Sequence, residues 1–133
     1  MQLIINTQRA QEIIDITDKI KKFVEKSGVK EGLCNIYSVH TTTGIMITEN
    51  WDPKVRNDVI KVIERLVPTD AGYEHDSEDG NGHAHVKAAL IGPSETVPIS
   101  KGELQLGRWQ GIGFGEFDGP RERTIMVSFV ENK

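Results

Sequence analysis

The segment Thr124–Val130 constrains the fold more than any other stretch of the chain. Ile125, Val127 and Phe129 alternate with Met126, Ser128 and Val130, so both faces of an extended backbone here are largely apolar. Such a strand has to be covered on two sides, as at the centre of a sheet or at a contact between subunits. It closes a series of four strand-like runs: Thr96–Ile99, Leu104–Leu106, Gln110–Phe117 and Thr124–Val130. Gly102, Gly107 and the Asp118–Gly119–Pro120 turn separate them.

The first half of the chain adds four more strand-like runs and two main helices. Leu3–Asn6 and Glu12–Ile16 are short and rich in isoleucine. Thr17 is a capping residue for a helix over Asp18–Ser27, whose face carries Ile20, Phe23 and Val24 and whose stop is Gly28. Leu33–His40 and Ile45–Thr48 flank Thr41–Gly44 and are expected to pair antiparallel. Asp52 followed by Pro53 opens a second helix, on which Val55, Val59, Val62 and Leu66 keep a helical spacing, and Pro68 ends it. Thr69–Gly82 has no apolar period and reads as a loop, and His85–Leu90 as a short helix. Strands outnumber helices and short turns join them, which predicts an α+β fold with antiparallel sheets in one domain over residues 1–133.

Composition narrows the function. Sixteen basic against twenty acidic residues give a net charge of -4, and no basic stripe is present, which argues against nucleic acid as partner. No run approaches the ~18 apolar residues of a membrane span, and the N-terminus lacks a signal-peptide pattern, so a cytoplasmic protein is expected. Cys34 is the single cysteine, which fits a reducing compartment, and its strand context favours a buried thiol. The apolar fraction of 37% is low for a monomer and points to a homo-oligomer.

Three clusters carry chemistry. The first is Asp79–Gly80–Asn81–Gly82–His83–Ala84–His85. In an extended segment His83 and His85 point the same way, and the pair supplies two nitrogens to one metal ion or two polar groups to one substrate. His75 upstream is a further partner. The alternative is that these histidines cap loop carbonyls or face solvent. The second cluster is His40–Thr41–Thr42–Thr43–Gly44, whose hydroxyls and backbone amides suit an anion, or else form a Thr-rich strand edge. The third is Glu116–Arg123, where Arg121 and Arg123 follow a tight turn. They either present two guanidinium forks to phosphate or pair on the surface with Glu116, Asp118 or Glu122.

Taken in order, His40–Ile45, Asp79–Lys87 and Gly107–Arg123 resemble the YjbQ-like family, also described as secondary thiamine-phosphate synthases; the likeness covers nearly the whole chain. The resemblance implies a compact antiparallel β-sandwich of crossed sheets forming a homotrimer, with a polar pocket near subunit boundaries. It implies a transferase that joins hydroxymethylpyrimidine diphosphate to a thiazole phosphate and releases pyrophosphate. The alternatives are a metal-dependent hydrolase or other phospho-ligand enzyme on the same histidines, or a non-catalytic trimer. Carried over, His40, His83 and His85 are catalytic candidates. Thr42, Asn81, Arg121 and Arg123 are candidates for binding a small phosphorylated substrate. His40, His75, His83 and His85 are candidates for a divalent metal such as Mg or Zn, with no organic cofactor implied. Glu49, Asn50 and Asp79 also fall on family positions.

Overall fold

The computed structural model describes all residues from Met1 to Lys133. Its elements run β1 (Gln2–Asn6), β2 (Glu12–Asp15), α1 (Thr17–Ser27), β3 (Gly32–Ser38), β4 (Thr43–Glu49), α2 (Pro53–Leu66), α3 (Gly82–Ile91), β5 (Ser94–Ser100), β6 (Glu103–Leu104), β7 (Gln110–Glu116) and β8 (Glu122–Glu131), with a 3-10 turn at Glu74–Ser77. One antiparallel sheet has the order β1-β8-β3-β5-β6 and the other β2-β7-β4. The α+β class with antiparallel sheets is as the periodicity predicts. The two main helices are joined by the expected short third one, which is longer than its sequence pattern suggests.

Side chains from both sheets and α1 meet in one core. Cys34 and Ile36 of β3, Ile125 and Val127 of β8, Ile45 of β4 and Phe114 of β7 pack with Ile20 and Val24. Burial pushes the Cys34 thiol up to about 11, so it stays protonated and behaves as a small apolar side chain. A second, smaller cluster joins α2 and α3 through Ala84, Ala88 and Phe117, with Ile60 and Ile63 against it. The smaller sheet is thus covered on both sides, and β7 is buried from Gly111 onward. Its alternate glycines admit the neighbouring layer closely. A Cβ on Gly115 would stand 3.0 Å from both Met46 Cε and Phe117 Cζ.

Four expectations change for identifiable reasons. First, β3 and β4 do not pair. β3 lies between β8 and β5, whereas β4 lies on β7, so residues 39–42 carry the chain from one sheet to the other. Second, α2 is capped as predicted, with Asp52 accepting from the Lys54 amide at 2.9 Å, but its inward face is different. Val62 is 48% and Leu66 73% exposed, because α2 carries a rival stripe through Ile60 and Ile63 that seats on α3. Third, α3 begins at Gly82 rather than His85. It is buried on more than one side, so it shows no single apolar stripe by which its start can be read. Fourth, Thr17 lies inside α1, where its hydroxyl donates to Asp15 Oδ1 and accepts from the Ile112 amide.

Candidate functional site

Thr43 is paired with Glu116, and Asn6 with Glu122. The starts of β4 and β8 and the ends of β1 and β7 therefore share one edge of the molecule. The β3–β4 crossover, the Asp118–Arg121 turn and the N-terminal turn of α3 gather there.

The crossover places His40 against β8. The Thr124 amide donates to His40 Nε2 at 2.9 Å. A backbone N–H is only a donor, so Nε2 is the acceptor of this ring and Nδ1 carries the proton. Burial and the Arg123 guanidinium lower the His40 pKa, which keeps the ring neutral at pH 7. Beside it opens a cleft of about 340 Å³, lined by Tyr37, Val39, His40, Thr41, His85 and Ala88 among others. His40 and His85 thus face one space although 45 residues separate them in sequence. The His85 ring stands edge-on to that of His75, with centroids 4.8 Å apart.

His83 does not join them. Residues two apart on a helix diverge by ~200°, so the helical start of α3 sends His83 and His85 to different sides; an extended segment would have aligned them. His83 Nδ1 is 2.7 Å from Lys87 Nζ, and Lys87 in turn reaches Glu64 of α2 and Gln11. Burial and the Lys87 charge lower the His83 pKa.

The two arginines also part. Arg121 is 53% exposed and bonds Asp118 through both its side-chain and backbone oxygens. Arg123 is buried with Glu116, which it grips with two bonds, Nε to Oε1 at 2.8 Å and Nη2 to Oε2 at 2.6 Å. Thr42 Oγ1 accepts from Arg123 at 2.8 Å and Thr7 donates to Glu116 at 2.8 Å. The Arg123 pairing is therefore interior, not on the surface. Thr42 and Arg123 brace the floor under His40. Asn81 donates to Asp118 at 2.8 Å, and its Oδ1 is the one buried side-chain oxygen or nitrogen without a partner. That atom is an open acceptor at this edge.

Other candidates lie elsewhere. Glu49 and Asn50 sit at the far end of β4, ~20 Å along the strand from Thr43. There Glu49 accepts from the Asp52 amide and Asn50 from Arg56. Asp79 is exposed, 3.8 Å from His75 Nε2. No local pattern singles out Lys87, whereas Glu116 is among the partners expected for the arginines and does hold Arg123. The alternation of β8 holds a signal for the ion pair, because Arg123 continues the inward series Ile125 and Val127.

The four histidines do not make a ligand set as they stand. His40 and His83 spend their lone pairs on donors of the same chain, His83 and His85 diverge, and no three His, Cys, Asp or Glu side chains converge on one point. No helix is long and apolar enough to cross a membrane.

The profile described as UPF0047 protein YjbQ-like matches residues 1–132. The chain belongs to the YjbQ/UPF0047 family. A UPF0047 protein of Methanocaldococcus jannaschii is 43% identical over 97% of this chain and 92% of its own length. The YugU protein of Bacillus subtilis is 40% identical over 95% of each chain. A YjbQ/UPF0047-family crystal structure from Clostridium acetobutylicum superposes with TM-score 0.94 at 42% identity, covering 98% of this chain and 99% of that one. A YbjQ-like protein of Sulfolobus solfataricus gives TM-score 0.96 at 33% identity, over 99% and 96%. The fold of this chain is therefore that of the YjbQ family.

Proposed function

We propose that the cleft between the β3–β4 crossover and α3 takes a small phosphorylated molecule, and that the chain is a cytoplasmic transferase of the thiamine-phosphate synthase type. The observation that carries this reading is the shared cleft of His40 and His85, with the turn that bears Arg121 at the same edge of the molecule. His40 offers an Nδ1–H donor, Arg121 a guanidinium, and His85 a ring with no hydrogen bond of its own. In the transfer, the thiazole nitrogen attacks the methylene carbon of hydroxymethylpyrimidine diphosphate. The carbon–oxygen bond to pyrophosphate breaks, and the leaving group departs with the electron pair. No base is needed to create the nucleophile, so the residues' task is to stabilise charge growing on pyrophosphate. His85 is the group that passes a proton to it.

The open cleft also supports a homotrimer. The outer face of the larger sheet exposes Ile4, Leu33, Tyr37 and Val130. Leu33 lies opposite Val130 and Tyr37 opposite Met126. Tyr37 belongs both to this face and to the cleft wall. Covering the face by further copies would close the cleft at a subunit boundary.

The test is thiamine phosphate formation by purified protein from the two substrates, with Arg121→Ala and His85→Ala beside it. We expect turnover in the wild type and a loss of about 10²-fold in each variant, the usual scale for removing a charge-stabilising group. No product from the wild type, or equal rates in all three, overturns the reading.

A further inference from the structure

We propose that Lys87 is a positioning residue: its ammonium fixes His83 as the Nε2–H tautomer, so that His83 offers a hydrogen-bond donor and is neither a proton acceptor nor a metal ligand. His83 lies across α3 from the cleft proposed above as the ligand site, which His40 and His85 line, so this inference goes beyond that reading and does not rest on it.

The argument starts from Lys87, which is completely buried. An uncompensated ammonium in that position would be prohibitive. Its Nζ has three acceptors within reach: Glu64 Oε1 at 2.7 Å, His83 Nδ1 at 2.7 Å and Gln11 Oε1 at 3.0 Å. An ammonium has three N–H bonds and no lone pair, so the three acceptors match its capacity. Glu64 is held as a carboxylate by donors of its own. The Thr69 amide and hydroxyl each reach it at 2.7 Å, and Gln11 Nε2 at 3.0 Å. With a carboxylate 2.7 Å away, Lys87 keeps its charge and all three protons.

His83 Nδ1 then has one role left. It accepts, because nothing on Lys87 can. A neutral imidazole has a single acceptor nitrogen, so the proton resides on Nε2. A proton added at Nδ1 would displace the Lys87 bond and set two cations 2.7 Å apart. The charges around the ring come from every neighbouring element: Lys87 on α3, Glu64 on α2, Asp118 in the β7–β8 turn and Asp76 in the 3-10 turn. His83 is 7% exposed. Its Nε2 has no partner, yet Asn81 Oδ1 is the only unpartnered buried side-chain atom; Nε2 therefore reaches solvent. One ring edge is locked inside and the other offers a fixed N–H outward. His85, on the other side of the same helix, has no such lock. Neutral imidazoles held as donors are an established way to polarise an oxyanion.

Long-range proton–nitrogen correlation on histidine-labelled protein at pH 7 reads the tautomer directly. We expect His83 as a pure Nε2–H ring and His85 as a mixture. In Lys87→Met the preference should collapse into both tautomers while His40 stays as it was. Added Zn²⁺ should leave the wild-type His83 signals in place. A wild-type ring protonated at Nδ1, or at both nitrogens, overturns the proposal, as does an unchanged tautomer in Lys87→Met or zinc displacing Lys87. Should Lys87→Met fail to fold, the wild type still decides. A slowly exchanging Lys87 ammonium signal at pH 7 is required, and its absence refutes the lock. Failure of the transfer assay while the tautomer is as expected would sink the functional reading and leave this one standing.

Discussion

The two sides of α3 use the same residue types to opposite ends. On one side the completely buried Lys87 saturates its ammonium with His83, Glu64 and Gln11. On the other, His85 faces an open cleft with His40 and its ring makes no hydrogen bond. The Arg123–Glu116 pair repeats the sealed arrangement beneath the cleft, and the exposed Arg121–Asp118 pair the open one. A saturated, buried polar group has its geometry decided by the fold, and removing one partner costs stability because the other is left buried and unpaired. An exposed one retains capacity for a ligand and contributes little to stability. Chemical type alone does not sort these residues; depth and partners do.

The comparison breaks most sharply at Glu116. Glu116→Ala leaves the Arg123 charge buried and unpaired, and should lower the unfolding free energy by about 3–5 kcal/mol in urea titrations. A loss below about 1 kcal/mol would mean that the pair is hydrated and the sealed side is not sealed.

Acid offers a gentler probe of the Lys87 side. Burial alone would raise the Glu64 carboxyl, but hydrogen bonds from Lys87, Thr69 and Gln11 outweigh it and hold the group well below the ordinary carboxylate range. A depressed folded value means the unfolded chain takes up the proton first. The stabilisation is fully present above the ordinary value of 4.5 and is lost as pH falls below it towards the folded value. Wild-type stability should thus drop between about pH 4.5 and 2 more steeply than that of Glu64→Gln. Parallel curves for the two proteins would remove Glu64 from the sealed network.

The open side should be nearly silent in stability. His85→Ala should change unfolding free energy by no more than about 0.5 kcal/mol, and Arg121→Ala by at most about 1 kcal/mol. Both should abolish pyrophosphate-dependent shifts at the cleft. A large stability loss in His85→Ala would erase the distinction between the two sides.

The residues of the site were legible as types more than as roles. His40 stood out by ending a strand before Thr41–Gly44, and it does reach the cleft. The pairing of His83 with His85 depended on an extended backbone, and the helical start of α3 separates them. Arg123 looked like a surface guanidinium because the turn before it was conspicuous. Its alternation with Ile125 and Val127 was the better guide. Lys87 was passed over because nothing local marks a lysine as buried. Its partners Gln11 and Glu64 lie 76 and 23 residues away.

What the chain determines locally was readable without coordinates. The alternation of β8, the Asp52–Pro53 start of α2, the Gly28 stop of α1 and the turn before Arg121 all rest on interactions within a few residues. Tertiary structure alone decided which sheet each of β3 and β4 joins, which stripe of α2 turns inward, and which imidazoles are donors. Those outcomes depend on contacts such as Thr124 to His40, 84 residues apart. Their energy exists only once distant segments are packed and water is gone from between them.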